Sequence, residues 1–336
     1  MTNTTSVAAD ATGSSPAPAV GGIGSSETRS PRLVTVAAIS GGLESHVAAR
    51  ASTVKENVDR VIGCIDKLAS CKPDLIALTE CFHCANVGGR VDANAIPADH
   101  EIVQRVAAKA RRLNTNIVAP IYERRGDRTF NTALWIDRSG KIAGRYDKIH
   151  PTEGEIDSGS MCGTTKPTIL DMDFGRVGMQ ICFDLNWPQG WSDLRRAGAE
   201  LIVWPSAYAG GRPLAAMAYL NQVFVLTATW PRRCKLFDIS GDIITECGRL
   251  ADSIIGTIDL DRRLFHWDFH EDRVDKIRAK YGRDVHIDIY HEEGWFALNS
   301  LREGLSVNML MEEFKLVPLA DYLKRATGRQ DASRVG

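Results

Sequence analysis

Apolar positions recur along the chain in short runs separated by amphipathic stretches. The runs "RLVTVAAIS" (32–40), "DLIALTE" (74–80), "NIVAPIYE" (116–123), "TALWIDR" (132–138), "KIAGRYDKI" (141–149), "RVGMQICF" (176–183), "LIVWPS" (201–206) and "QVFVLTATW" (222–230) have strand length. Several are Val/Ile/Leu-rich without polar alternation, as in strands covered on both faces. Between them, "STVKENVDRVIGCIDKLAS" (52–70) spaces Val54, Val58, Ile62, Ile65 and Leu68 as one helical stripe. "EIVQRVAAKARRLN" (101–114) repeats the pattern through Ile102, Val106, Ala110 and Leu113. "WSDLRRAGA" (191–199) and "RPLAAMAYLN" (212–221) predict shorter helices, and "DRSGK" (137–141) and "FDISGDIIT" (237–245) predict hairpins. Helices that alternate with strands but are interrupted by hairpins predict a layered α/β protein with mixed sheets.

The pattern changes at both ends. Residues 1–31 are rich in Ser, Thr, Ala, Gly and Pro and predict a disordered tail. They lack the basic and apolar regions of a secretory signal. After "GTIDLD" (256–261) the chain becomes charged and aromatic. There "HEDRVDKIRAKYG" (270–282) predicts an exposed helix. The expected division is a tail (1–31), a globular domain (32–262) and a C-terminal extension (263–336) of the kind that packs at an oligomer interface.

Composition narrows the function classes. With 25% charged residues and a net charge of −1, no electrostatic footprint for nucleic acid or an anionic membrane is expected. No apolar run approaches the roughly 20 residues of a membrane span. The eight cysteines, without a secretory signal, predict a reduced, cytoplasmic protein with free thiols.

Three strand ends then carry reactive groups: Glu80 after "DLIALT", Lys148 after "GRYD" and Cys182 after "VGMQI". Strand C-termini are where α/β folds place sites. A thiol nucleophile needs a base, which a carboxylate supplies. A nearby ammonium favours thiolate and stabilises developing negative charge. Singly, each has a plainer reading: Cys182 as a buried strand residue, Glu80 and Lys148 as strand-end charges. A carboxylate directly after "LIALT" predicts partial burial and a partner. "CFHC" (81–84) has the spacing of a zinc-ligand pair, but no second pair accompanies it, so no metal is expected. His83 and Cys84 are expected in the loop after Glu80, near a pocket mouth. His150 beside Lys148 raises a rival reading, a Cys–His hydrolase of another fold.

"LIALTECF", "GRYDKIHPTEGE" and "VGMQICFDLNWP", in that order, resemble the glutamate, lysine and cysteine segments of the nitrilase superfamily of carbon–nitrogen hydrolases. "AELIVWPSAY" resembles a further family strand, while "AYLNQVFVLTAT" matches in part, with Leu220 where the family carries a glutamate. The resemblance covers roughly residues 32–261. It implies a four-layer α-β-β-α sandwich, assembled as a homodimer or larger homo-oligomer. It implies Cys182 as nucleophile, Glu80 as general base, Lys148 and the backbone N–H of Phe183 as oxyanion donors, and Glu155 as a second glutamate, with Glu153 the runner-up. It implies no metal or organic cofactor.

True nitrilases of the family carry Trp-Glu after the cysteine. Phe183-Asp184 here is closer to amidase and carbamoylase-like branches, although Gln189 replaces their glutamate. Asp184 is expected to orient its loop by bonding backbone N–H groups. The expected substrate is a small amide or N-carbamoyl compound. The alternatives are a nitrile, or a catalytically silent binding relative. Trp187, Trp204, Tyr208 and Trp230 are candidate pocket residues, with core packing as the other reading of each.

Overall fold

The computed structural model describes residues 31–43, 51–248, 251–270 and 272–335. The tail expected over 1–31 lies outside them, apart from Pro31. The first sheet contains β1 (Leu33–Ile39), β2 (Leu75–Leu78), β3 (Asn116–Arg125), β4 (Arg128–Ile136) and β5 (Ile142–Asp147), side by side in chain order. The two-residue strand β6 (Ser160–Met161) pairs with β4. The second sheet is also sequential: β7 (Ile169–Asp171), β8 (Arg176–Met179), β9 (Leu201–Ser206), β10 (Phe224–Thr229), β11 (Lys235–Phe237) and β12 (Ile243–Glu246). The chain then returns as β13 (Ser253–Asp259), antiparallel to β1.

The parallel cores β1-β2-β3 and β8-β9-β10 need crossovers, and helices supply them. These are α1 (Val54–Lys67) and α2 (Glu101–Leu113) in the first half, α4 (Pro188–Arg196) and α5 (Arg212–Asn221) in the second. A capping box between Thr53 and Glu56 starts α1. The short helix α3 (Glu153–Asp157) follows β5.

Strand alternation sorts the side chains into three cores. Val36 and Ala38 of the first sheet share a cluster with Val203 and Leu226 of the second, so the sheets pack face to face. Ala37 and Ile39 point the other way, onto Val58 and Val61 of α1 and Val106 of α2. Ile202 and Val225 pack against Leu194 of α4 and Leu214 of α5. The result is the four-layer α-β-β-α sandwich. Each fully buried aliphatic side chain contributes roughly 1.5–3 kcal/mol, so the sandwich is held chiefly by its cores.

The C-terminal segment is more ordered than its charged sequence predicts. It forms an antiparallel sheet, β14 (Arg263–His266), β16 (Trp295–Ser300) and β15 (Val285–Tyr290) in spatial order. The helices α6 (Arg273–Tyr281), α7 (Val307–Phe314) and α8 (Leu319–Ser333) accompany it. The helix expected to be exposed, α6, buries Val274 and Ile277 in a core with Phe265, Phe296 and Leu310. Two apolar positions three residues apart suffice for that contact, and the surrounding charges hid them in the sequence. The segment also joins its own sandwich. Leu264, Trp295, Ala297 and Leu319 belong to the inter-sheet cluster, and Arg262 bridges Asp238 (3.1 Å) and Asp288 (2.5 Å). No helix among the described residues is long and apolar enough to cross a membrane.

Candidate active site

Glu80 lies two residues beyond β2, Lys148 one beyond β5 and Cys182 three beyond β8. The sandwich brings these strand ends together, and all three residues are buried. The Lys148 ammonium donates to Glu80 Oε1 at 2.9 Å and to Glu155 Oε2 at 2.7 Å. Asn131 Nδ2 donates to Glu80 Oε1 at 2.7 Å and to Glu155 Oε1 at 2.8 Å. Two carboxylates are thus clamped between one ammonium and one amide. The second oxygen of Glu80 accepts the Ala207 N–H at 2.6 Å. The Cys182 thiol lies against the same amide and against Ser206, and it senses the charges of both Glu80 and Lys148.

Glu155, not Glu153, takes the second-glutamate position. Thr152 and Glu155 form a capping box at the start of α3: Thr152 Oγ1 accepts the Glu155 N–H, and Glu155 Oε2 accepts the Thr152 N–H. This turns the Glu155 carboxylate inward, while Glu153 is exposed.

Cys182 opens a 3₁₀ turn, Cys182–Asn186, with φ of +49°. A non-glycine residue there costs of order 1–3 kcal/mol and persists only when neighbours fix it. Two neighbours do so. Trp204 Nε1 donates to the Cys182 carbonyl at 3.1 Å. The buried Asp184 carboxylate accepts the Ile181 N–H (2.9 Å), the His150 N–H (2.8 Å) and the Tyr146 hydroxyl (2.7 Å), and it contacts His150 Nδ1 at 2.9 Å. Tyr146 sits on β5 and His150 follows Lys148, so Asp184 ties the cysteine turn to the lysine loop.

Burial works against charge on Lys148, but Glu80, Cys182 and Glu155 reverse it and raise its pKa well above the ordinary lysine value. Burial likewise opposes charge on Glu155, yet Lys148 and its hydrogen bonds hold its pKa below the ordinary value. The Cys182 thiol is pushed well above the thiol range, by burial first and the Glu80 charge second; Lys148, Ser206 and the Ala207 amide only partly offset this. Burial and the neighbouring Cys182 and Glu80 raise the Tyr208 hydroxyl to about 12. At neutral pH the site holds an ammonium and a protonated thiol.

The carbon–nitrogen hydrolase family model matches residues 35–263, more than half of the chain and all of the sandwich but the first two residues of β1. The chain belongs to the carbon–nitrogen hydrolases. It is 29% identical over 189 residues to the deaminated glutathione amidase of Dictyostelium discoideum, a match covering 49% of this chain and 65% of that one. It is 28% identical over 195 residues to the beta-ureidopropionase of Arabidopsis thaliana, covering 55% and 48%. The matches thus span about half to two thirds of these relatives' own length. Its fold matches that of an amidase from Nesterenkonia sp., with a TM-score of 0.60, 18% identity, and coverage of 74% of this chain and 96% of that one. A mutant of that amidase has been solved with the acetamide moiety of fluoroacetamide added covalently at its active-site cysteine.

In this family member the aromatic candidates take different places. Trp204 is fully buried in the outer core. It supports the cysteine turn from that core, in keeping with the packing reading of this residue. Trp187 is partly exposed, stacked on His150 at 3.8 Å and edge-on to Phe183 at 5.3 Å. Tyr208 lies beside Cys182, its ring edge-on to Trp204. Trp230 Nε1 donates to the Glu80 carbonyl at 2.7 Å. With Cys84, Asn94 and Tyr122, Trp230 lines a cavity of about 250 Å³ beside Glu80. His83 is buried, its Nε2 on the carbonyl of the cavity residue Asn94 at 3.0 Å.

The chain also has a residue in this candidate site that sequence reasoning missed. Asn131 lies in "TFNTALW", where it reads as a polar break in a strand. The available signal was burial: a side-chain amide inside an apolar strand needs polar partners, and two carboxylates from other segments provide them. The Ala207 amide left no trace in the sequence because any residue supplies a backbone N–H.

Proposed function

We propose that this hydrolase cleaves an amide or N-carbamoyl C–N bond of a small molecule through a covalent thioester on Cys182. The observation that carries this reading is the buried Lys148–Glu80–Glu155 cluster packed against a strained cysteine. Because the resting thiol is protonated, attack needs a base, and Glu80 is the carboxylate beside it. Glu80 takes the thiol proton as Sγ bonds to the carbonyl carbon. The oxyanion is met by the Phe183 N–H and by Lys148, whose two carboxylate bonds leave one N–H free of the three. Collapse expels ammonia or an amine, which takes the proton back from Glu80. Water, deprotonated by Glu80, then attacks the thioester, and the thiol is restored as the acid departs. Asn131 and Glu155 keep Glu80 and Lys148 in register throughout. The covalent adduct of the Nesterenkonia amidase supports attack by a cysteine in this fold.

Phe183-Asp184 directly after the nucleophile supports the amide and N-carbamoyl reading over nitriles. The test is ammonia release from a panel of amides, N-carbamoyl compounds and nitriles. Cys182→Ala is the control, with turnover expected to fall by about 10⁴-fold or more. Normal turnover in Cys182→Ala would remove the cysteine from the mechanism, and release from nitriles alone would overturn the substrate class.

A further inference from the structure

A second thiol pair adjoins the site and has no part in the mechanism above. Cys81 follows Glu80 directly and has a φ of +43°, which folds the next residues into a tight turn. The Cys84 N–H donates to the Cys81 carbonyl at 2.9 Å, and the Cys84 thiol lies 3.5 Å from the same oxygen. Each thiol is an electrostatic neighbour of the other. Both are buried and reduced, but Cys84 lines the 250 Å³ cavity, whose rim includes the exposed Gly88 and Gly89.

The imidazole of His83 completes the group. Its Nε2 is committed to the Asn94 carbonyl, while its Nδ1 is buried without a well-formed hydrogen bond. The neighbour that ring senses is the Cys84 thiol. Hydrogen bonding from Cys81 pulls the Cys84 pKa below the ordinary thiol value; burial opposes this, and the imidazole adds to it. Cys81 moves in the opposite direction, raised first by burial. A more acidic thiol facing a cavity, with a second thiol three residues away in the same turn, is the arrangement of an attacking and a resolving cysteine.

We propose that Cys84 is a second reactive thiol, modified by a hydroperoxide that enters the cavity, and that Cys81 resolves the product into a Cys81–Cys84 disulfide that switches the active site off. In the first step the Cys84 thiolate attacks the peroxide, forming Cys84–SOH and releasing hydroxide, or an alkoxide if the peroxide is organic. In the second, the Cys81 sulfur displaces the sulfenic oxygen, forming the S–S bond and releasing water. The thiols are oxidised by two electrons and the peroxide is reduced by two. The route to the active site is direct. Cys81 Sγ now donates to Asn131 Oδ1 at 3.5 Å, and the Asn131 amide holds both Glu80 and Glu155. A disulfide draws Cys81 off that amide and retightens the turn directly after Glu80. Only this inactivating arm rests on the function proposed above.

The chemistry is tested in full-length Cys182→Ala, where the proposed nucleophile is absent. Hydrogen peroxide at pH 7, followed by alkylation and mass spectrometry, should show two hydrogens lost from the peptide containing Cys81 and Cys84, restored by dithiothreitol. Adding Cys81→Ser should leave a sulfenic acid on Cys84, captured by dimedone. Cys84 should react about tenfold faster than the exposed Cys71 and Cys162. Oxidation of Cys71 and Cys162 while the Cys81–Cys84 peptide stays reduced would overturn the proposal. In the enzyme with Cys182 intact, disulfide formation should lower turnover about tenfold or more, reversibly, and Cys84→Ser should abolish that rapid loss. Full turnover by disulfide-bearing enzyme would overturn the switch. A reduced enzyme that turns over no member of the panel would count against the proposed function alone, since the disulfide is read by mass.

Discussion

Lys148 is the one ammonium shared by Glu80 and Glu155, and all three are withdrawn from water. Removing it leaves two facing carboxylates with only the Asn131 amide between them. Breaking a buried ion pair from one side costs roughly 3–5 kcal/mol, so Lys148→Met should unfold at markedly lower urea concentration than wild type. An unchanged midpoint would show that the cluster is not held as described. The Cys182 thiol makes a prediction in pH. Its pKa is raised, so the thiolate fraction at neutral pH is smaller than for a free cysteine and keeps growing as pH rises through the ordinary thiol range. Alkylation of Cys182 by iodoacetamide, without substrate, should therefore still accelerate above pH 9. A plateau below pH 8 would mean a preformed thiolate and remove the need for Glu80 as base.

At the scale of the element, the cysteine turn is a strained segment held by Trp204 and Asp184. Glycine adopts positive φ without strain, so Cys182→Gly should be more stable than Cys182→Ala by about 1 kcal/mol in denaturant melts. Equal stability would place the strain elsewhere. Asp184→Asn turns a group that only accepts into one that also donates, among donors from Ile181, His150 and Tyr146. It should cost about 1–3 kcal/mol and lower turnover. What was legible in the sequence follows from the same physics. Glu80 and Cys182 stood out because each follows an apolar strand; Lys148 follows the more polar "IAGRYD", and its motif drew attention to it. The layers were legible because short continuous apolar runs mark covered strands and a spacing of three to four marks helices. Asn131 was not, because one amide in a strand shows no partner until the carboxylates arrive from distant segments. Trp204 kept two readings for a related reason: an aromatic in a strand reads the same whether its ring faces a pocket or the outer core. The loop of Cys81, His83 and Cys84 was placed near the site, but the contacts within it depend on backbone angles the pattern does not encode.

At the scale of the molecule, the C-terminal segment is a further layer and not an appendage. Its residues Leu264, Trp295, Ala297 and Leu319 complete the inter-sheet core, and Tyr219 of α5 meets Trp295 at 4.6 Å. Sandwich and extension should therefore melt as one unit. Tryptophan fluorescence, with Trp267 and Trp295 in the extension and Trp135 and Trp191 in the sandwich, should follow the same transition as far-ultraviolet circular dichroism. Two separated transitions would mean that the extension folds on its own core alone. The proposed active site spans the join between the sheets: Glu80, Asn131 and Lys148 hang from one, Cys182 and Ala207 from the other. Its hydrogen bonds act as a gauge of the gap between two slabs held in register by side-chain packing and a few bonds across the join, such as the Gly41 N–H to the Thr229 carbonyl at 2.8 Å. Warming or compression that lets the slabs creep by a fraction of an ångström reaches the proton-transfer step while every strand is still paired. Heat should therefore silence this enzyme while its backbone remains folded.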